Sequence, residues 1–237
     1  MKKKIIILTF LFLISCSLFI IYINDYYKAD YNSIDKFFTN KKVEVGRENN
    51  IITYHSNSDV GFIFYPGGKV DPNAYKPLLY LISKKNINTF LVDMPFNLAV
   101  FDINAADKII KNNKHIKKWY IGGHSLGGAM AASYVKDNLN TIDGLILLGA
   151  YSSVNLSNSK LKVLSIYGSN DKILNKEKYN QYKKNLPKDY SEKVIIGGCH
   201  SYFGMYGLQD GDGKCSITNK EQIILTVNYI TSYLINK

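Results

Sequence analysis

The sequence predicts an α/β fold, a mostly parallel central sheet with helices on both faces, preceded by an N-terminal transmembrane helix. Three observations lead to this prediction. Residues 5–23 are almost all apolar, strand-like and helix-like segments alternate from residue 60 onward, and several strand-like runs are apolar throughout. With 46% hydrophobic and 21% charged residues, the composition is that of a globular protein. We expect a membrane anchor or signal segment with its tether over residues 1–27, and one domain over residues 28–237.

The N-terminal apolar run is long enough to cross a bilayer. As a helix, residues 5–23 extend about 28 Å, close to the thickness of the hydrocarbon layer. Lysines at 2–4 precede the run and Asn24 and Asp25 follow it, which predicts a single-pass protein of the cell membrane with an extracytoplasmic domain. A cleaved signal peptide is one alternative. A lipoprotein anchored at Cys16 is another, although residues 18–23 stay apolar beyond that cysteine.

The elements follow in order along the chain. Residues 25–40 are polar and predict a tether leading to a short helix or loop. Two short strands are expected at 42–45 and 51–55, with a turn at 46–50. The later strands and helices are predicted in alternation: a strand at 60–65, a helix at 72–84 capped by Asp71, a strand at 87–92, a helix at 104–113, a strand around Trp119, a helix after Ser125, strands at 144–148 and 161–167, a helix at 175–185, a strand at 194–196, and a helix from the capping-box pair Thr218 and Glu221 towards Leu234.

The net charge of +11 does not indicate a nucleic-acid partner. Arg47 is the only arginine, and the lysines are scattered with no nucleic-acid motif among them. Readers of phosphates and bases depend on the planar fork of arginine. We therefore expect a solvated lysine surface, with weak attraction to anionic lipid or wall polymer as the alternative.

The clearest chemical motif is Gly-His-Ser-Leu-Gly at residues 123–127, between a strand-like run and a helix-like run. A serine on a tight strand-to-helix turn has strained backbone angles, and glycines two residues away on either side make room for that turn. Ser125 is then a nucleophile, and the N–H of Leu126 is directed at the oxygen that gains charge during acyl transfer. The alternative is a glycine-rich turn that only packs closely.

Further candidates follow three other strands, where ligands collect in an open α/β sheet. Gly67 and Gly68 follow the strand at 60–65 and provide a second donor for an oxyanion, unless this is an ordinary turn. Asp171 follows the strand at 161–167 and His200 follows the strand at 194–196. We expect His200 to be the general base and Asp171 to orient it.

The order Ser125, Asp171, His200 is the order in which a nucleophile-elbow fold presents its catalytic triad. Three other histidines are excluded by position, since they precede the serine or lie within its turn: His55, His115 and His124. Asp210 and Asp212, in a glycine-rich loop beyond the histidine, are the only substitutes for the aspartate.

Two cysteines remain beyond the apolar run. Fifteen residues lie between Cys199 and Cys215, and the first cysteine adjoins the candidate histidine. An even number of cysteines in an exported domain favours a disulfide, with two unpaired buried thiols as the alternative.

With these residues in place, the chain resembles the α/β-hydrolase superfamily, in particular the small bacterial group called alpha/beta hydrolase family 5. The resemblance covers about residues 60–230 and rests on residues 64–68, 70–75, 93–99, 122–128, 167–171 and 200–213. It implies a serine hydrolase with no metal or organic cofactor, whose triad maps onto Ser125, Asp171 and His200.

Many members of this superfamily insert a helical cap after the strand that follows the nucleophile helix. Here only residues 150–160 separate that strand from the next, so a minimal fold without a cap domain and an open site are expected. An open site favours small or exposed esters over buried lipid chains. Tyr202, Phe203 and Tyr206 are candidates for the pocket wall, with ordinary packing as the alternative.

Together these observations predict a serine hydrolase of carboxylic esters on the outer face of the membrane, acting on a small-molecule or cell-envelope ester. Two alternatives stay open. One is an amidase or acyltransferase acting on cell-envelope groups. The other is a catalytically inactive hydrolase fold that serves as a binding module.

Overall fold

The computed structural model describes residues 2–38 and 44–235. Within these residues eight strands form one sheet: β1 (Glu44–Glu48), β2 (Ile51–His55), β3 (Val60–Tyr65), β4 (Asn88–Val92), β5 (Lys118–His124), β6 (Gly144–Leu148), β7 (Lys162–Gly168) and β8 (Ser191–Ile195). The α-helices are α1 (Lys2–Asn24), α2 (Tyr31–Ile34), α3 (Lys76–Ser83), α4 (Ala105–Asn112), α5 (Leu126–Asp137), α6 (Lys176–Tyr182) and α7 (Asn219–Ile235).

The sheet has the strand order β1-β2-β4-β3-β5-β6-β7-β8. The pairs β1–β2 and β2–β4 are antiparallel, and all the other neighbours are parallel, which confirms the predicted mostly parallel sheet. Parallel strands end at a common edge. The loops after β3, β5, β6, β7 and β8 therefore meet there, and these loops carry the candidate site.

Helices cover the sheet on both faces, as predicted. On one face, α3 and α7 bury apolar side chains such as Leu78 and Ile230 against the sheet. On the other, α4 and α5 bury Ile109 and Val135. The central strand β3 is covered from both sides, which explains its continuous apolar sequence.

Several element boundaries differ from those predicted. Strand β1 includes Gly46, and the turn to β2 lies at residues 49–50; positions 42 and 43 of the predicted strand lie outside the described residues. The helix expected at 72–84 is a 3-10 turn, Pro72–Tyr75, followed by α3, while Asp71 caps the turn as predicted, accepting the Asn73 N–H at 2.9 Å.

Strand β8 begins at Ser191, three residues before the predicted start. Among the strands of the described residues it pairs only with β7 and lies at the edge of the sheet. The first residues of β8 are polar, so the hydrophobic pattern did not predict them as part of a strand. In the structure the Glu192 carboxylate accepts from the Tyr179 hydroxyl at 2.6 Å and pairs with Lys183 Nζ at 2.8 Å.

Helix α1 has no buried residue and is the one helix of the described residues that is long and apolar enough to cross a membrane. The chain after it leads to the short helix α2, as predicted, and the segment between them is held against the domain. Tyr27 pairs with Val70, its N–H donating to the Lys69 carbonyl at 2.8 Å and its carbonyl accepting the Asp71 N–H at 2.9 Å. The end of α1 is thereby fixed against the loop that follows β3.

Candidate active site

Ser125 lies on the sharp turn between β5 and α5. Its backbone angles, φ 51° and ψ −120°, fall in a region that residues other than glycine rarely adopt. The turn is held by the Ser125 N–H, which donates to the Leu148 carbonyl at 2.9 Å. A side chain at Gly127 would overlap the carbonyl oxygens of Tyr65 and Pro66. The spacing of glycines around the serine thus has a steric cause.

Asp171 and His200 form a buried pair. His200 Nδ1 lies 2.9 Å from Asp171 Oδ2, and both side chains are almost completely shielded from solvent. The other carboxylate oxygen, Oδ1, accepts the N–H groups of Ile173 and Leu174 at 3.0 and 2.8 Å. Because a carboxylate only accepts hydrogen bonds, Nδ1 carries a proton, and in the neutral imidazole Nε2 then presents a lone pair.

The pair depends on a glycine that the sequence reasoning missed. Gly149 follows β6 with φ +52°, and a Cβ on it would lie 2.9 Å from His200 Nδ1 and 3.3 Å from Asp171 Oδ2. Only glycine adopts this backbone conformation without strain and avoids a steric clash between a Cβ atom and the imidazole of His200. Its place directly after a strand at the carboxyl edge was the signal available in the sequence.

Ser125 and His200 line the same open cleft, whose volume is about 410 Å³. The rings of Tyr151 and Tyr182 are stacked on its wall, with centroids 5.3 Å apart and planes 11° from parallel. The rest of the lining comes from the α5 end, the loop after β6 and the region around α6: Leu126, Ala129, Gly149, Ala150, Ser153, Ile173, Leu174, Asn175 and Lys178.

The pocket residues predicted beside the histidine lie elsewhere. Tyr202, Phe203 and Tyr206 are absent from the cleft lining; Phe203 and Tyr206 are buried in the core on the α3 and α7 face of the sheet. The physical reason is the 3-10 turn Ser201–Phe203, which begins directly after His200 and directs the chain inward. Phe203 and Tyr206 thus pack in the core, which is the alternative stated for them, and Tyr151 and Tyr182 line the cleft instead.

The two glycines predicted as oxyanion donors differ in their surroundings. The Gly67 N–H donates to the hydroxyl of Tyr75 at 3.1 Å, so this donor is already engaged. Gly68 is partly exposed and adjoins Leu126, since a Cβ on it would lie 2.9 Å from Leu126 Cδ2. Leu126 is the first residue of α5, whose first-turn N–H groups have no acceptor within the helix.

His124, within the turn, faces away from the cleft lining and is completely buried. Burial lowers the pKa of His124 well below its ordinary value, and the neighbouring His200 lowers it further. Its Nδ1 lies 2.8 Å from the Tyr75 hydroxyl, and its ring centroid lies 4.4 Å from that of His200. His124 is therefore neutral and packs behind the candidate base.

The loop that carries His200 is held at Cys199, the residue before the histidine, by a covalent bond and by hydrogen bonds. Cys199 and Cys215 form a disulfide, with Cα atoms 5.4 Å apart. Gln222 of α7 also binds the Cys199 main chain, accepting its N–H at 3.0 Å and donating to its carbonyl at 2.7 Å.

The two aspartates considered as substitutes for Asp171 do not bind the histidine. Asp212 accepts both the N–H and the hydroxyl of Ser201, at 2.8 and 2.7 Å, and so holds the residue that follows the histidine. Asp210 is exposed to solvent.

This geometry agrees with a comparison against protein families. Residues 61–224 match the model described as the alpha/beta hydrolase family. The chain belongs to the alpha/beta hydrolase family. The match spans more than half of the sequence, and the family comprises hydrolases, so the protein is assigned as one. No curated protein matches the sequence closely enough to refine that assignment.

Solved structures show the same fold at low sequence identity. The monoacylglycerol lipase of Paleococcus ferrophilus is 13% identical, with a TM-score of 0.61, and the alignment covers 80% of this chain and 99% of the lipase. The Francisella virulence factor BioJ is 13% identical, with a TM-score of 0.63 and coverage of 86% and 88%. Carboxyl esterase 2 of Tuber melanosporum is 12% identical, with a TM-score of 0.62 and coverage of 89% and 91%.

Proposed function

We propose that this hydrolase cleaves carboxylic esters at the outer face of the membrane, with Ser125 as nucleophile, His200 as base and Asp171 as its orienting partner. One observation carries the proposal. Nε2 of His200 is buried and lacks a hydrogen-bond partner within the described residues, although Nδ1 of the same ring is fixed by Asp171. A buried polar atom without a partner costs free energy unless a reacting group supplies one.

In the proposed reaction, Ser125 Oγ attacks the ester carbonyl carbon while its proton passes to His200 Nε2. The carbon–oxygen bond to the alcohol then breaks, and the same proton moves from Nε2 to the departing oxygen, which leaves as the alcohol. Water attacks the acyl-serine by the same route in reverse, releasing the carboxylic acid and restoring the serine hydroxyl. The Asp171 carboxylate keeps the imidazole in the required tautomer and stabilises its protonated form.

The negative charge on the carbonyl oxygen needs donors. We assign this role to the N–H groups of Leu126 and Gly68, with the positive end of α5 adding to the field. Gly67 is the weaker of the three original candidates, because Tyr75 already accepts its N–H.

Ester hydrolysis is favoured over other acyl chemistry by the open cleft and by the fold neighbours. Two of the similar structures are named as a lipase and an esterase. The proposed location follows from the three lysines before α1 and from the exposed apolar surface of α1. An amidase or an acyltransferase would use the same residues and differ only in the leaving group or the acceptor.

The test treats the full chain in lipid nanodiscs with a fluorophosphonate probe and measures intact mass. Wild type is compared with Ser125→Ala and His200→Ala. Matched controls are Ser153→Ala, which removes another serine of the cleft, and His115→Ala, which removes an exposed histidine.

We expect one adduct on the wild type and on both controls, and none on the Ser125 and His200 variants. A folded wild type that stays unlabelled would overturn the proposal in favour of a binding module. If labelling succeeds, p-nitrophenyl acetate and the matching p-nitroanilide are compared, and the products are analysed. Faster anilide cleavage would indicate an amidase, and acyl transfer to an added amine without free acid would indicate a transferase.

A further inference from the structure

Three large apolar side chains lie exposed in the loop that follows β4. Phe96, Val100 and Phe101 have exposed fractions of 48%, 44% and 51%. The two phenylalanine rings contact each other edge to face, with centroids 5.6 Å apart. We call these three residues the lip. An exposed apolar cluster of this kind on a globular domain indicates a binding surface.

The backbone holds the lip in an unusual conformation. Phe96 has φ 56° and ψ 24°, in the left-handed region that bulky residues avoid. Asn97 has φ 56°, and its carbonyl accepts the N–H of Lys69 at 2.9 Å. Strain of this kind persists only where surrounding structure imposes it, so the outward position of the Phe96 ring is built into the loop.

The lip continues the apolar surface of α1. The ring of Phe19, near the end of α1, contacts the ring of Phe96 edge to face, with centroids 5.6 Å apart. Phe19 is itself 42% exposed, and no residue of α1 is buried. One apolar surface therefore runs from the helix onto the domain.

The residues beside the contact between Phe19 and Phe96 indicate how deep this contact lies in the bilayer. Lys69 Nζ lies 4.5 Å from the centroid of the Tyr22 ring and 2.7 Å from Asp25 Oδ2. Tyrosine and lysine at the end of a membrane helix are typical of the headgroup layer. Phe19 lies about 7.5 Å below Asn24 along the helix axis, at 1.5 Å per residue. Phe96 contacts the helix at that depth.

We propose that the lip inserts into the outer leaflet beside α1 and that the hydrolase takes its ester substrate from the lipid surface. The occupant of this surface is the bilayer, because the lip is continuous with the one described helix that can cross it. The inference rests on the proposed function for the substrate, and on the proposed membrane position of α1 for the depth.

A short path joins the lip to the cleft. Leu98, between Phe96 and Val100, packs beside Gly68, where an added Cβ would lie 3.6 Å from Leu98 Cδ2 and 2.9 Å from Leu126 Cδ2. Leu126 lines the cleft. The insertion thus brings the cleft to the headgroup layer, where the ester group of an amphiphile lies. The predicted class of substrate is an amphiphilic ester of the outer leaflet whose scissile bond is at the surface.

The depth of the lip is measured on the full chain in phosphatidylglycerol and phosphatidylcholine nanodiscs. A nitroxide label is attached to Phe101→Cys in a Cys16→Ser background. The introduced cysteine is then the free thiol that reacts with the label, because Cys199 and Cys215 form the disulfide. The matched control is Leu139→Cys. Leu139 is 42% exposed and follows α5, at the opposite edge of the sheet. Collision with oxygen and with a water-soluble nickel chelate is compared by electron paramagnetic resonance.

We expect the label at position 101 to collide with oxygen more than with the nickel chelate, and the label at position 139 to show the reverse. Equal exposure of both labels to the chelate would overturn the proposal. Dipolar broadening between labels at position 101 would also overturn it, since the lip would then bind a second copy of the chain.

A second variant separates this inference from the proposed function. Phe96→Asn with Phe101→Ser removes the apolar rings, and asparagine tolerates the left-handed conformation at position 96. We expect unchanged labelling by the fluorophosphonate and unchanged hydrolysis of p-nitrophenyl acetate. Hydrolysis of 4-methylumbelliferyl oleate in vesicles should fall several-fold, and an equal rate would count against the lip. If the wild type neither labels nor hydrolyses, the catalytic proposal fails while the depth measurement still decides the lip.

Discussion

The hydroxyl of Tyr75 lies 2.8 Å from Nδ1 of His124 and accepts the N–H of Gly67 at 3.1 Å. His124 is neutral, and its tautomer decides whether Nδ1 or the Tyr75 hydroxyl donates in this bond. A continuous series of hydrogen bonds therefore runs from the loop after β3, through Tyr75, to the turn that carries Ser125. These bonds fix the loop that carries Gly67 and Gly68, which we call the oxyanion loop after its proposed role, relative to Ser125, the proposed nucleophile.

Tyr75→Phe should lower both stability and catalytic rate. It leaves the Gly67 N–H and His124 Nδ1 unpaired in a buried site, which costs about 1–3 kcal/mol in the free energy of unfolding. The loop that carries Gly68 is then less well fixed, and kcat should fall more than KM changes. Urea unfolding and steady-state kinetics measure the two effects.

The matched control is Tyr65→Phe. The Tyr65 hydroxyl also makes two hydrogen bonds, to Ile103 at 2.7 Å and from Ala106 at 3.1 Å, but these hold α4 and not the oxyanion loop. A similar loss of stability with an almost unchanged kcat is expected. Equal effects on kcat in both variants would mean that Tyr75 acts through stability alone.

Asp171→Asn should remove most activity and leave the fold intact. The amide no longer selects the tautomer in which His200 Nε2 accepts a proton, and kcat should fall roughly 10²- to 10⁴-fold. Ester turnover and circular dichroism are the measurements. Asp212→Asn, which alters a loop contact only, should retain far more activity; the opposite ranking would reassign the acid of the triad.

Asp212 should make stability depend on acid pH. Burial raises its pKa, but hydrogen bonds from Ser201, Gly213 and Lys172 outweigh burial and leave the pKa below its ordinary value of 3.8. A carboxylate whose pKa is depressed by folding stabilises the protein above the unfolded pKa, and this contribution is lost as pH falls through the folded pKa.

The difference in unfolding free energy between wild type and Asp212→Asn should therefore be constant above about pH 5 and shrink below about pH 4. Urea unfolding over a series of pH values measures it. A difference that stays constant down to the most acid pH would show that the carboxylate charge makes no contribution.

Removal of the disulfide should cost stability without abolishing serine reactivity. Replacing Cys199 and Cys215 by alanine frees a loop of fifteen intervening residues, which corresponds to about 3 kcal/mol. Gln222 still holds the main chain of Cys199, so His200 should keep its place. Fluorophosphonate labelling should survive in this variant and be lost when Gln222→Ala is added. Loss of labelling on removing the disulfide alone would contradict this division of roles.

The sequence predicted the sheet and the positions of the candidate triad for a definite physical reason. Strand-like runs in this fold end at one edge, so Ser125, Asp171 and His200 could each be chosen as polar residues following a strand. The pocket wall follows no such rule. Tyr151 lies in the loop after β6 and Tyr182 at the end of α6, and the two meet only in the folded chain. Phe203, three residues after the histidine, is buried instead.

The attachment of the N-terminal segment to the domain was not predicted, for a related reason. Polar residues after α1 predicted a tether leading to a short helix or loop, and Tyr27 and Asp30 bind the domain through main-chain groups, to Lys69, Asp71 and Met205. Main-chain hydrogen bonds of this kind depend little on side-chain type and leave no pattern in the sequence.

The pairing of Tyr27 with Val70 also limits how far the protein can reach. Only Asp25 and Tyr26 separate the end of α1 from that pairing, a span of roughly 10 Å even when fully extended. With α1 in a bilayer, the domain has no flexible linker that would let it move away from the membrane surface. For the membrane ester proposed above, encounters between enzyme and substrate would then occur by lateral diffusion, a two-dimensional search whose rate depends on the density of the ester in the membrane plane.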